Sequence, residues 1–520
     1  MPQHTNHQRI LCCHFTHLPT DRIARQRWGK SWRLKGRPDT APIVVVDTVK
    51  NAMRIVALED DKRLTGIRLE QNLSDARAII PDLDCVWHDR HADAQLLKQI
   101  AHWSERYTPL VSLSGNDGLF LNITGCSHLF GGEQAMLEDM AARFSAQGFS
   151  VRIAIADHAG AAWALARYCN QAIALPKSHQ ALLETMPLFA LRLSSSKVNE
   201  LNRVGFKTIG CLIDLPRAPI ATRFGSEVLE RLDQALGRED EVLSPLQPVA
   251  ELVYERRFPD PIVYEDDIKA TIRLLTQKAK ASLEQRGLGM RMARIQLFRT
   301  DGEVTQLQVE ASSSLRDDGK IATLFDERLA SLSDEWDAGF GFDIIQLSFL
   351  RCDRLDEKQE DLVAQDQSRQ ACTHLVDRLS ARLGAYRVQV YQTADTHIPE
   401  RRFNLAPAIH YEAQTVTAKT TEITTRPILL FDQPERADVM AEVPEGPPLR
   451  FRWRKAQYEV SRSEGPERIA CEWWKDGRAA RTRDYFRIET SSGYRLWLFR
   501  HGLYERETDK PEWYVHGMFA

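Results

Sequence analysis

Two short stretches hold most of the residues able to do chemistry. The first is RILCCHFTHLPTDRI, Arg9 to Ile23, which reads as a buried strand running into a helix start. Strands of this kind in nucleotide-handling enzymes often end on a metal-binding Asp. Here that end carries His14, Phe15, Thr16 and His17, and the next carboxylate is Asp21. The second is YTPLVSLSGNDGLFLNIT, Tyr107 to Thr124, two extended runs around Asn116-Asp117-Gly118, which is a hairpin signal. Two-metal phosphoryl transfer needs carboxylates converging on a pair of Mg²⁺ ions about 4 Å apart. Mg²⁺ is hard and takes oxygen ligands. Neutral imidazole brings no charge and suits softer metals. Asp117 with Asp21 or with Asp47, the latter at the end of PIVVVD, is the set of carboxylates open to such a role.

Phosphate contacts have two further candidates. LNRVGFKTIGCLIDLP, Leu201 to Pro216, reads as a helix, a turn at Gly205 and a second helix starting near Thr208. A helix-hairpin-helix of this form points backbone N–H groups, with Lys207, at a phosphate; an ordinary αα-hairpin has the same pattern. Arg256, Arg257, Arg291, Arg294 and Arg299 cluster on predicted strands or their ends. They line either a phosphate-binding face or a solvated face balanced by acids.

The elements that must position these residues divide the chain. Residues 1 to 180 mix strands (Pro42 to Asp47, Val151 to Asp157) with helices, one starting near Glu133 after Gly131-Gly132. Residues 181–240 are helical. Residues 251–351 read as β-α-β-β-α-β. They comprise a strand at Leu252–Arg257, a helix with Ile268, Ile272, Leu275, Ala279 and Leu283 on one face, and strands Arg291–Arg299 and Glu303–Ala311. A helix around Thr323–Trp336 and a strand at Asp343–Leu350 complete the unit. Residues 352–370 read as a polar, acidic linker, followed by a helix at Thr373–Leu383 and a strand at Arg387–Tyr391. The last hundred residues alternate short strands and turns, a small antiparallel β domain holding five of the eleven tryptophans.

Composition constrains the function more loosely. The chain has 520 residues, net charge −3, 43% hydrophobic and 27% charged residues, which is ordinary globular composition with no bulk basic character. Nine scattered cysteines form no CxxC pair, so neither a zinc site nor a disulfide framework is indicated. No apolar run of about 18 residues and no signal peptide is present, and a cytoplasmic location is expected.

Together these segments resemble the Y-family, or UmuC-like, translesion DNA polymerases over roughly residues 8 to 355. GNDGLFLNIT matches the family's palm hairpin, AIADHAGAAW a following strand and helix, and DDKRLTGIRLEQNLSDARAIIP the fingers segment. The resemblance implies an α+β multidomain fold. Its palm-like part is 8–17 and 86–180, its fingers-like part 18–85, its thumb 181–240 and its little finger 251–351. A linker at 352–370 and a C-terminal partner-binding region at 371–520, β-rich from about 410, complete it. The catalytic positions are degenerate. The family's first Asp falls on His14 and the next on Thr16, and the palm Asp-Glu pair falls on Asp117 and Gly118. The sugar-checking aromatic falls on Pro19, the fingers Tyr on Asp60 and the triphosphate-binding palm Lys on Trp163; Arg63 stands where a triphosphate Arg is usual.

The chain resembles the catalytically inactive ImuB branch in particular. VPEGPPLRFRWR, EGPERIACEWW, RTRDYFRIE, WLFRHGLYERE and the terminal WYVHGMFA are similar to that branch's own tail. The resemblance implies a non-catalytic adaptor in SOS-induced mutagenesis, with no cofactor. Its implied partners are DNA, the β sliding clamp, a RecA-like protein of the ImuA type and an error-prone DnaE-type polymerase, with no membrane. Expected DNA contacts are Gly205, Lys207, Arg291, Arg294 and Arg299. QEDLV, with Gln359, Leu362 and Val363, fits the bacterial clamp-binding pattern at the place where the family carries it; a solvated linker is its other reading. Two alternatives stand beside the adaptor. One is an active error-prone polymerase with rearranged ligands, and the other is a scaffold that touches no DNA.

Overall fold

The computed structural model describes residues 8–248, 250, 252–332, 338–355, 364–411, 426–442, 445–477 and 480–520, with side chains 364–369 left aside. It divides into two compact units, Met1–Arg382 and Leu383–Ala520. Among the described residues no helix is long and apolar enough to cross a membrane.

The first unit starts with β1 (Ile10–Phe15). Alternation sends Ile10 and Cys12 into one core and Leu11, Cys13 and Phe15 into another. An excursion follows: β2 (Ile43–Val49) and β3 (Ala52–Leu58) form a hairpin whose turn residues Lys50 and Asn51 both have positive φ. β4 (Asp84–Trp87) runs parallel to β2 on its other side, giving the order β3-β2-β4. The chain returns through α1 (Arg90–Ser104), the hairpin β5 (Val111–Ser114) and β6 (Gly118–Asn122), α2 (Glu133–Ala146) and β7 (Val151–Ala156). The resulting antiparallel sheet has the order β5-β6-β1-β7. α1 and α2 cover one face, where Phe15 sits edge-on to Phe144 at 5.2 Å. α3 (Ala159–Tyr168) covers the other. Its alanine-rich surface lets it lie close to the sheet and to the thumb-like helix Ser226–Leu236. At Gly160 a Cβ would come within 2.9 Å of the Ala235 Cα.

The β-α-β-β-α-β unit is present as the periodicity predicts, with longer elements. These are β8 (Leu252–Ile262), α4 (Glu265–Arg286), β9 (Leu288–Arg299), β10 (Val304–Leu315), α5 (Asp318–Ala330) and β11 (Phe342–Arg354). The sheet order is β10-β9-β11-β8, and all five predicted apolar positions of α4 are fully buried on it. The strand pairing lays out rows across the opposite face. Val304, Phe298, Ile344 and Arg257 form one row; Gln306, Gln296, Gln346 and Glu255 form the next. Phe298 and Ile344 belong to the core under β1. Gln296 donates to Glu105 at 2.5 Å, Arg106 pairs with Asp343 at 2.7 Å, and Arg143 reaches the same carboxylate at 3.1 Å. This sheet is therefore built onto the β5-β6-β1-β7 sheet and its helices by apolar packing flanked by polar pairs, of which Arg106–Asp343 is buried.

The predicted linker is shorter than 352–370. β11 runs through Arg354, and α6 (Ala364–Leu383) starts nine residues before the expected Thr373. Its Asp377 accepts the Ser312 N–H at 2.8 Å, which caps part of β10 at the edge of the sheet.

The second unit begins with a ribbon of β12 (Gln389–Thr393) and β13 (Phe403–Pro407). Six further strands, β14 (Leu429–Ala441), β15 (Pro448–Trp453), β16 (Ala456–Ile469), β17 (Arg483–Thr490), β18 (Arg495–His501) and β19 (Glu512–Met518), pair each with the next, and β19 closes on β14. The small antiparallel β domain is thus a closed barrel. Phe451, Trp453, Phe486, Leu496, Leu498 and Val515 share its main core. The strand expected at Arg387–Tyr391 is present as β12, Gln389–Thr393.

The Arg106–Asp343 pair gives a stability test. Asp343→Ala leaves a buried guanidinium without its principal partner, and such losses run to about 3–5 kcal/mol. Urea unfolding of the full chain should show a drop of that size; a change within the range of exposed ion pairs, under about 1 kcal/mol, would mean that the pair is not sealed from water.

Candidate functional site

The degenerate positions converge at the head of the β1–β6 pair, where His14 stands opposite Gly118. Alternation puts His14 on the same face as Cys12, beneath the C-terminal turn of α3. His14 Nε2 lies 3.3 Å from Asp117 Oδ2, and the Arg167 guanidinium at the end of α3 donates to Asp117 Oδ1 at 2.5 Å. Arg167 is itself nearly buried and stacks on the Trp163 ring at 4.1 Å. Burial alone would raise the Asp117 carboxyl. The hydrogen bond to His14 and the charge of Arg167 outweigh it and hold Asp117 below the usual carboxylate range. Burial pushes the neighbouring Cys12 thiol up to about 12, so it stays a neutral core group.

A pair of Mg²⁺ ions does not fit these residues. The one carboxylate at the family's positions is already neutralised by a cation that is part of the chain. Gly118 has no room for the missing acid, because a Cβ there would lie 2.8 Å from the Cys13 carbonyl oxygen and 3.4 Å from the Arg167 guanidinium. The alternative carboxylates are committed elsewhere. Asp21 is buried and accepts from Arg33 and from the Ser150 N–H, each at 2.8 Å. Asp47 is on β2, in the other sheet, and is held by Arg90 at 2.7 Å. Arg63 bonds to its neighbour Asp61 at 2.7 Å, and Asp60 is exposed. Among the described residues no group of three His, Cys, Asp or Glu side chains could hold a metal. A cleft of about 880 Å³ persists in front of Asp117, lined by Trp163, Tyr168, Phe189 and Arg192. Arg192 is paired with Glu241 at 2.6 Å.

Arg167 is the residue that the sequence reading missed. Its signal was available: it lies four positions after Trp163 on the helix following the AIAD strand, so it shares a face with the residue in the triphosphate lysine's place. Reading for lost ligands does not reveal an arriving cation.

The expected phosphate contacts need correction. Arg294 is buried, bonds Gln247 at 2.9 Å and lies 3.8 Å from Glu105. Arg299 is buried between Asp301 and Glu303, both at 2.6 Å. Arg291 donates to the Ser312 carbonyl at 2.6 Å and faces Asp353. They hold the sheet and its turns together and do not form an exposed cationic face. Arg256 and Arg257, at the sheet's edge, remain exposed. The Gly205 turn is a helix stop. Gly205 has φ 103°, its N–H donates to Asn202 and the Phe206 N–H donates to Leu201, the Schellman arrangement. The helix after it is the single turn Gly210–Ile213, so the N–H groups of 204–206 do not point at a phosphate. Lys207 is exposed. Gln359, Leu362 and Val363 lie outside the described residues.

With this geometry in place, comparison with known proteins is informative. The impB/mucB/samB family model matches residues 31–167. Protein ImuB of Caulobacter vibrioides strain NA1000 / CB15N is 37% identical over 471 residues, covering 88% of this chain and all of that protein. The protein of the same name from strain ATCC 19089 / CIP 103742 / CB 15 matches to the same extent. Among solved structures, an insertion ternary complex of Dbh DNA polymerase has a TM-score of 0.39 at 13% identity, covering 67% of this chain and 99% of that one. DinB from Sulfolobus solfataricus has 0.38 at 12%, covering 67% and 100%.

Restoring the family's acids should not restore a metal site. His14→Asp with Gly118→Glu is expected to give no primer extension with Mg²⁺ or Mn²⁺ and to melt below the wild type, because the new side chain meets the Cys13 carbonyl. Extension by this double variant at wild-type thermal stability would show that the pocket still accepts its ions.

Proposed function

The chain belongs to the ImuB family, and from that premise we propose that it is a non-catalytic, Y-family polymerase-like adaptor of SOS-induced translesion synthesis and mutagenesis. In this reading it binds damaged or primed DNA. It links the β sliding clamp, an ImuA-type RecA-like protein and an error-prone DnaE-type polymerase that performs the synthesis. The single observation that carries the non-catalytic part is the Arg167 guanidinium on Asp117, beside a Gly118 that has no space for a second acid. A fixed cation neutralises the carboxylate without offering the open coordination positions that an attacking and a leaving oxygen require.

DNA binding in this reading falls to groups other than Arg291, Arg294 and Arg299. Lys207 and the exposed Arg256 and Arg257 are the cations available from the candidates, and their contacts to phosphate are independent of sequence. Clamp recruitment falls to QEDLV. An extended peptide with one polar anchor, Gln359, and two apolar ones, Leu362 and Val363, suits preformed pockets, and it lies between the end of β11 and the start of α6. Val363 is small for its position, so the affinity is modest.

Primer extension and DNA binding measured side by side on the purified chain test the first part. Binding that weakens with salt, without incorporation by either metal, is expected. Asp117→Ala should leave damage-induced mutagenesis in cells intact. Extension that Asp117→Ala abolishes would establish an active polymerase instead.

The clamp contact has its own test. Gln359→Ala with Leu362→Ala should abolish clamp binding and damage-induced mutagenesis while leaving the melting temperature unchanged. Wild-type clamp affinity in this double variant would place the contact elsewhere in the chain.

A further inference from the structure

The second unit carries an aromatic pair that its cores do not use. Trp473 and Trp474 stand side by side on the single turn Trp473–Asp476, 73% and 63% exposed, with ring centroids 5.7 Å apart and planes nearly perpendicular. The turn is fixed from beneath. Glu472 is buried; its carboxylate accepts from Thr396 Oγ1 at 2.5 Å and from Arg401 at 3.2 Å, and its carbonyl accepts the N–H groups of Lys475 and Asp476, both at 2.8 Å. Arg401 also holds Asp476. Two indoles on so rigid a support lose little freedom when something settles on them.

The chemistry beside them selects the ligand. A recess of about 240 Å³ shares Arg401 and Asp476 with the turn and is lined further by Arg481, Arg483 and His501. Asp476 is the one carboxylate in that lining and is already bonded to Arg401. Arg483 is held by Glu400 at 2.7 Å, whereas Arg481 has no ion-pair partner among the described residues. Burial first, then the charges of Arg483 and Arg481, hold His501 below its ordinary pKa against the opposing carboxylates of Glu512 and Glu507. A small cationic recess next to two exposed flat rings matches a strand that alternates phosphate with unpaired base. In a duplex the base faces are stacked on each other and closed to such rings.

We propose that this surface binds single-stranded DNA, with a backbone phosphate in the recess against Arg481 and bases stacked on Trp473 and Trp474. The binding is independent of sequence, since every base has a face to stack, and it makes no use of the palm-like centre.

The test uses the full chain, a fluorescently labelled oligo-dT strand and a labelled duplex of the same length. Trp473→Ala with Trp474→Ala should weaken oligo-dT binding by about tenfold or more and leave duplex affinity unchanged, since each stacked base contributes about 1–3 kcal/mol. Arg481→Glu should weaken oligo-dT binding and flatten its salt dependence by roughly one phosphate's share. Wild-type tryptophan emission should be quenched on titration, and the quench should vanish in the double variant. Far-UV circular dichroism reports whether the variants stay folded; both changes are on exposed or half-exposed positions, and an unfolded tryptophan pair variant would be replaced by Trp473→Ser with Trp474→Ser. Equal oligo-dT affinity in the folded variants overturns the proposal, as does absence of oligo-dT binding by the wild type. Oligo-dT affinity that stays intact while binding of the ImuA-type or DnaE-type protein is lost overturns it in favour of a protein-docking surface.

Discussion

A guanidinium resting on a carboxylate governs the N-terminal unit. Asp117 occupies the tip of a tight hairpin, partly withdrawn from water, where an anion needs a countercharge. Arg167 supplies it from α3 and His14 assists from β1. Unlike a diffusible ion, this countercharge is tethered, so it also ties a helix to the hairpin. Beside that tie the alanine-rich face of α3 lies on the sheet through its own apolar packing, and Gly160 lets the helix Ser226–Leu236 approach α3. At this centre the cation that meets the carboxylate is a side chain of the same fold.

The same exchange of solvent-facing charge for internal pairing recurs at the β-α-β-β-α-β sheet. Its helix-covered face is an ordinary apolar core. Its other face is crossed by a row of three glutamines and a glutamate, and part of it is closed against the palm-like part by Phe298, Ile344 and the Arg106–Asp343 pair. Amides in such a row bond to buried carboxylates such as Glu105 without placing unpaired charge in the interior. On this face Arg294 is held within the fold, while Arg257 on β8 stays exposed beside Glu255.

Much of this was legible in the sequence, for reasons that differ element by element. The β-α-β-β-α-β order was legible because α4 repeats apolar residues at helical spacing and β9 to β11 repeat them at strand spacing. The loss of carboxylates at positions 14, 16 and 118 was legible because identity alone decides it. Arg167 was not, because its role depends on where the end of α3 falls over a hairpin some 50 residues earlier. The strand arginines misled because alternation assigns a residue to a face but does not say what covers that face. Gly205 misled because a glycine between helices serves a phosphate loop and a helix stop equally well. β14 escaped notice because Pro434 and a register irregularity between Leu430 and Glu435 interrupt its alternation.

The closed barrel has a consequence of its own. A meander whose last strand pairs with its first leaves β17 and β18 with a partner strand on each side, so a visitor cannot extend the wall there by adding a strand. Along those two strands recognition is written in side chains and turns. Outward residues can then be exchanged without touching the hydrogen-bonded wall. Such a surface is free to follow changes in whatever it contacts, generation by generation, while the scaffold beneath stays fixed.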